Sequence, residues 1–376
     1  MTSIRFHAHR LFDGEQFHSD QVLTIEHGKI VSIDLNTDKA DLVSKELVVP
    51  GYIDLQVNGG GGVLFNDSPS IDKLTAMMMA HAKFGTTAML PTLITDKVSV
   101  MSQAADVIAQ AINEKVPGIV GVHFEGPHLS VAKKGTHCAD FIRPISEAEW
   151  QVLSRKDIGQ ILVTVAPETV SAAEIEKMVS LGILVCLGHT NADYETTEKA
   201  VKAGATGFTH LFNAMSPLQG REPGVVGCAL LNDNTSCGLI VDGHHVDYAS
   251  CQLAIKTKPQ GQVFLVTDAM PPVGTDQTEF ALYDRTVYVE NGKLTSTTGE
   301  LAGSSLDMAS AVKNVHLKLG LTLSEAIRMG SLYPAKYLYQ NNAMQRGKLC
   351  VGMQADLLML NDDLSVKETW ISGKKI

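Results

Sequence analysis

Short apolar runs alternate with longer stretches in which apolar positions recur every three or four residues, and this rhythm fills the middle of the chain. The runs are residues 51–57, 86–90, 119–124, 161–166, 183–187, 206–209, 237–241 and 263–267. Between them, 71–84, 97–113, 172–181, 194–203 and 248–256 carry the spacing of amphipathic helices. Eight strands, each followed by a mostly helical connection, predict an α/β chain closed as a parallel (β/α)8, TIM-like barrel of roughly 250 residues. The sixth connection, 211–234, reads as loop-rich. Because periodicity cannot show closure, a doubly wound open sheet is the rival.

The two ends have a different pattern. Residues 22–33 are two apolar runs about a His27-Gly28 turn, and 355–360 and 369–374 resemble them. Together the ends predict one small β-sandwich domain, with 1–48 and 346–376 flanking a barrel over 49–345. Neither end carries an evident cluster of reactive groups. A β insertion is expected near 275–300, where alternating residues flank Asn291-Gly292, a strong hairpin signal.

Composition narrows the class. Of 376 residues, 44% are hydrophobic and 19% charged, a mix that excludes wholesale disorder. Thirty-one Lys and Arg against 41 Asp and Glu leave a net charge of −10. With no long basic run, neither nucleic acid nor an anionic membrane is expected as a partner. Six cysteines without a CxxC pair fit reduced thiols in a cytoplasm. The opening Met-Thr-Ser-Ile-Arg-Phe-His has no apolar signal core. The most apolar stretch, 178–187, is far short of the ~20 residues that span a bilayer.

Chemistry-bearing residues gather just after the strands: Asp54, Gln56 and Asn58 after the first, His123 and Glu125 after the third, and Glu168 after the fourth. His189 and Thr190 follow the fifth, His210 and Asn213 the sixth, Asp242, His244 and His245 the seventh, and Asp268 the eighth. In a barrel these positions converge on the C-terminal mouth. Glu125, His189 and His210 would supply one oxygen and two nitrogens, the three-ligand set of a catalytic zinc site; iron, manganese, cobalt or nickel also accepts it. Each histidine alone is more often an ordinary hydrogen-bonded residue. Asp268, after an apolar strand, could exchange a proton with attacking water, or instead serve as an N-cap or support a ligand histidine. Gly59 to Gly62 lacks the Gly-Lys-Ser/Thr ending of a phosphate loop and reads as a flexible loop needing unusual φ/ψ. Met77 to Met79 reads as core packing. His137 could face the mouth. Arg221, in the irregular sixth connection, reads as a surface charge or, less simply, a planar anion clamp.

The segment from Pro50 to Gly59 resembles the first-strand motif of the amidohydrolase superfamily, with Gln56-Val57-Asn58 where most members carry His-x-His. Further motifs run in order along nearly the whole chain. They are His123-Phe124-Glu125-Gly126-Pro127, Lys133-Lys134-Gly135-Thr136-His137, Leu187-Gly188-His189-Thr190 and Thr209-His210-Leu211-Phe212-Asn213-Ala214. After these come Arg221-Glu222-Pro223-Gly224, Asp242-Gly243-His244-His245, Thr267-Asp268 and Leu301-Ala302-Gly303. This set is similar to the N-acetylglucosamine-6-phosphate deacetylase family. The resemblance implies hydrolysis of the sugar's acetamide to glucosamine 6-phosphate and acetate, in amino-sugar catabolism. Another amidohydrolase acting on a cyclic amide or nucleobase is the alternative. It implies one divalent metal per subunit on Glu125, His189 and His210, zinc first, because Gln56 and Asn58 remove two ligands. Asp268 would be the acid/base. Thr136, His137, Asn213, Ala214, His245, Leu301, Ala302 and Gly303 would contact substrate. Arg221 would bind phosphate in a neighbouring subunit's site, in a homodimer or tetramer. His128 and His244 depart from the family pattern and could line the mouth or add a second metal site.

Overall fold

The computed structural model describes residues 3–35 and 40–376. Met1 and Thr2 of the opening segment, and 36–39 within the N-terminal β region, lie outside the described residues.

The eight expected strands form one parallel sheet in chain order: Tyr52–Val57, Thr86–Ile94, Gly121–Glu125, Gln160–Val165, Leu184–Leu187, Gly207–Phe208, Ser236–Leu239 and Val263–Leu265. Every residue of the first two is buried, which explains their nearly unbroken apolar sequence: a parallel sheet is covered on both faces. The sheet closes on itself. Val57 bridges Ala269 in parallel, and the Asp268 amide donates to Gln56 O at 3.0 Å, joining the eighth strand's end to the first. This closure excludes the open-sheet rival.

The helices start where side chains can satisfy their first amides. Ser70 Oγ accepts from Lys73 N ahead of Ile71–Ala82, and Ser171 forms a reciprocal capping box with Glu174 ahead of Ala172–Ser180. Asp193 caps Tyr194–Lys202. The sixth connection corrects the expectation of a loop, since it contains the helix Gly224–Leu231. Seven of its eight residues are buried, so it has no polar face and leaves no 3.6-residue period to read.

The insertion is a three-stranded antiparallel sheet, Glu279–Leu282, Arg285–Glu290 and Lys293–Ser296. Asn291 and Gly292 both have positive φ, 51° and 77°, as a two-residue primed turn requires. Phe280, Leu282, Val287 and Leu294 pack with Ile94, Met270 and Ala302, and the Tyr283 hydroxyl donates to Thr95 O at 2.6 Å. The insertion is thereby tied to the C-terminal ends of barrel strands two and eight.

Both termini join one seven-stranded sheet. Leu42–Pro50 lies between Ile4–Phe12, which it pairs in parallel, and Leu357–Leu360, which it pairs antiparallel. This sheet has its own core, including Phe6, Leu23, Ile30, Val48, Leu357 and Trp370. One expectation for the ends fails: Ile4–Phe12 and Phe17–Glu26 bring His7, His9 and Asp20 into a cluster. The signal was His-x-His on a strand, which places both rings on one face.

Candidate active site

A cleft at the barrel's C-terminal mouth is lined by Asn58, Glu125, Thr136, His137, His189, His210, Asn213, Ala214, His245, Asp268, Leu301 and Gly303, with Ile94, Gly135 and Met270. Its interior is about 160 Å³. At the ~10–15 Å³ needed per water, that is room for roughly 11 to 16 waters and so for a sugar-sized ligand. Of the metal-ligand, acid/base, substrate-contact and first-strand residues that the resemblance assigned, all but three line it. Gln56 lies just beneath, Ala302 is buried behind its two neighbours, and Arg221 is exposed elsewhere on the surface.

On the cleft floor, Glu125 Oε1 sits 3.1 Å from His189 Nε2 and 3.0 Å from His210 Nε2, and the two nitrogens are 3.0 Å apart. All three side chains are buried. His189 Nδ1 donates to Lys133 O at 2.9 Å, so in the neutral ring Nε2 has a bare lone pair facing Glu125. Burial alone would raise the Glu125 carboxyl. When the His189 and His210 rings carry a proton on Nε2, their hydrogen bonds and charge outweigh it and hold the group well below the usual carboxylate range. Ligands about a tetrahedral ion with bonds of ~2.0–2.1 Å stand roughly 3.3 Å apart. An equilateral set of one carboxylate oxygen and two imidazole nitrogens at nearly that spacing fits a divalent transition ion.

Asp268 faces this triangle. Its Oδ1 accepts from Asn58 Nδ2 at 2.6 Å and from Gln56 Nε2 at 3.1 Å. Gln56 Nε2 also reaches both Glu125 oxygens, at 3.1 and 3.2 Å. Of the two amides at the usual His-x-His positions, Gln56 thus bridges the two carboxylates, while Asn58 holds Asp268 alone. Burial and the Glu125 charge raise the Asp268 carboxyl above its ordinary value, while the Asn58 bond pulls it down. Asp268 starts no helix, so the N-cap reading fails. His137 is oriented by Thr95, whose amide points at Nδ1 (3.4 Å) and whose hydroxyl lies 2.8 Å from it. That leaves the proton on Nε2. Burial and the neighbouring His189 push His137 down to about 3, so it is a neutral N–H donor.

Backbone strain marks the same residues. His189, His210, Ala214 and Asp268 all have positive φ, at 48°, 33°, 51° and 54°. Non-glycine residues enter this region at a cost of order 1–3 kcal/mol each, and such costs cluster at functional sites. Sequence periodicity carries no trace of it.

Several strand-end residues do not reach the cleft. Asp54 is buried below it, accepting from the Thr267 hydroxyl at 2.5 Å, and burial pushes its carboxyl up to about 7. His123 bonds Leu55 O and Thr164 in the barrel interior. Glu168 is exposed and holds Thr190 and the Asn191 amide. His128 bonds Arg143 O away from the cleft, and His244 is exposed, so neither lines the mouth. Gly61 and Gly62 take left-handed φ of 64° and 83°, the unusual backbone expected there, though in a tight hairpin and not a loop. Met77 and Met78 are core residues but Met79 is exposed. Ile94, Thr95 and Met270 were not anticipated; their signal was only their position at the ends of strands two and eight.

The chain matches the amidohydrolase family over residues 47–376. It is 50% identical over 327 residues to an N-acetylgalactosamine-6-phosphate deacetylase of Shewanella sp. (strain ANA-3), covering 87% of this chain and 82% of that one. It is 36% identical to an N-acetylglucosamine-6-phosphate deacetylase of Haemophilus influenzae, covering 86% and 85%. The solved structure of N-acetylglucosamine-6-phosphate deacetylase from Pasteurella multocida superposes with a TM-score of 0.94 at 36% identity over the whole of both chains. The fold and these relationships agree: the chain belongs to the amidohydrolase family, among its N-acetylated amino-sugar 6-phosphate deacetylases.

Proposed function

We propose that the chain hydrolyses the acetamide of N-acetyl-D-glucosamine 6-phosphate, giving D-glucosamine 6-phosphate and acetate. The observation that carries this is Asp268 beside the Glu125–His189–His210 triangle on a sugar-sized cleft floor. Those three residues would hold one divalent ion, zinc by its donor set. A divalent ion there would supply Lewis acidity, lowering the pKa of a water so that it can give up a proton and attack near neutral pH.

The protein's own groups do the rest. Asp268 accepts the proton of the attacking water as the new C–O bond forms. His137 Nε2–H donates to the amide oxygen as negative charge builds on it. Asp268 then returns its proton to the departing nitrogen as the C–N bond breaks, so one carboxylate serves as base and then acid. Asn58 and Gln56 keep Asp268 aimed. Thr136, Asn213, Ala214, His245, Leu301 and Gly303 surround the sugar, with Ala302 fixing the turn between the last two. Among the described residues no Lys or Arg lines the cleft, so a phosphate dianion there lacks a strong cation from them. Arg221, exposed and without an ion pair among the described residues, would provide it to a second copy of the chain. That reading makes the enzyme at least a homodimer. Six unpaired thiols suit a reducing cytoplasm, and no described helix is long and apolar enough to cross a membrane.

The galactosamine epimer is a second reading, favoured by the 50%-identical Shewanella relative. Acetate release from the two 6-phosphate epimers, compared as kcat/KM, tests both. The larger value for the gluco sugar supports the first reading and for the galacto sugar the second; turnover of neither removes both.

A further inference from the structure

The His7–His9–Asp20 cluster stands apart from the barrel chemistry, since none of the three lines the cleft. His7 and His9 project from one face of the strand Ile4–Phe12. On the neighbouring strand, Asp20 falls opposite His9, between the paired positions Ala8–Gln21 and Arg10–Ser19. Asp20 Oδ1 lies 3.2 Å from His7 Nε2 and 2.8 Å from His9 Nδ1. The two rings are 4.4 Å apart, and the three candidate ligand atoms all lie within 4.8 Å of one another. His7 is buried and so held in place, whereas Asp20 leaves the open side to solvent. Asp20 has φ of 52°, the same left-handed region used by His189, His210 and Asp268.

As in the barrel triangle, two imidazoles converge on one carboxylate oxygen, with nitrogen–oxygen spacings of 2.8–3.2 Å against 3.0–3.1 Å; the two ring nitrogens lie within 4.8 Å of each other, where the barrel pair stands at 3.0 Å. We propose that His7, His9 and Asp20 form a second site for a divalent first-row transition ion, which clasps the first strand of the terminal sheet to the second. Imidazole nitrogens select zinc, copper or nickel over magnesium and calcium, which take oxygen ligands. The open side leaves room for water to complete four-coordination. Because the ion would bind the paired strands and not the unfolded chain, it would add to stability by mass action.

The test counts zinc on the full chain. Metal-free protein is titrated with Zn²⁺ by calorimetry, and bound metal is counted after equilibrium dialysis at micromolar free Zn²⁺. The same is done for His9→Ala/Asp20→Asn and for the single Asp20→Asn. The expected result is one zinc fewer per chain in the double variant than in the unmodified protein, and a smaller zinc-induced rise in Tm in both variants. Acetate release by the double variant stays normal, which reports an intact barrel. Because the count is a difference, it holds whatever the barrel site binds. Equal zinc content in unmodified and double-variant protein would overturn the proposal and leave the cluster a set of hydrogen bonds.

Discussion

His189 and His210 point their Nε2 atoms at each other across 3.0 Å, with Glu125 Oε1 completing the triangle. Two imidazole lone pairs held that close repel unless a proton or a cation lies between them. The arrangement is stable when one ion takes all three donors. His210→Ala should therefore lower bound metal at the barrel site and abolish deacetylation together. Metal counting and acetate release on the same preparation check this; full metal occupancy with activity lost would show that His210 is not a ligand.

Asp268→Asn keeps the size and the position of the side chain but cannot take a proton. We expect kcat to fall by about 10²–10⁴-fold, the usual worth of a positioned acid/base, with barrel metal content unchanged. Turnover within a few-fold of the unmodified protein would remove Asp268 from the proton transfers.

Asn58→Ala removes the 2.6 Å donor that favours the Asp268 carboxylate. The carboxyl should then hold its proton to higher pH. Since the base must be ionised, the acid limb of kcat/KM should move upward. A pH–rate profile reads this; a limb that stays in place or moves down would show that Asn58 does not tune Asp268.

Arg221→Ala should weaken turnover of the 6-phosphate sugar far more than that of the unphosphorylated sugar, with the larger effect in KM. Equal losses on both substrates would mean that Arg221 does not read phosphate.

Stability should depend on His81, whose Nε2 donates to Gly59 O at 2.9 Å in a fully buried setting. Burial pushes its folded pKa down from 6.5 to about 4. The unfolded chain then binds a proton that the folded chain refuses. The contribution is intact above about pH 6.5 and is lost as pH falls toward 4, by up to about 3 kcal/mol. His81→Gln can keep a donor to Gly59 O without titrating, so its denaturation midpoint should fall less steeply over that window. Parallel curves for both proteins would exclude His81 as the titrating group.

The barrel was legible because a parallel sheet buries both faces of its strands and leaves unbroken apolar runs, while surface helices keep one polar face. The helix Gly224–Leu231 escaped for the opposite reason: it is apolar all round. Glu125, His189, His210 and Asp268 were legible because a barrel projects strand-end residues into one mouth. Their left-handed backbone and the Gln56 bridge between two carboxylates were not, since both depend on contacts between strands far apart in sequence. The His7–His9–Asp20 cluster was missed because each residue alone looks like an ordinary strand polar residue, and only the pairing of two strands brings them together.

The most direct test is acetate release from N-acetyl-D-glucosamine 6-phosphate before chelation, after it, and during back-titration with zinc. The expected result is loss of activity with the metal and recovery as zinc refills the barrel site, with no recovery in Glu125→Ala. Undiminished turnover by the metal-free chain would contradict the account.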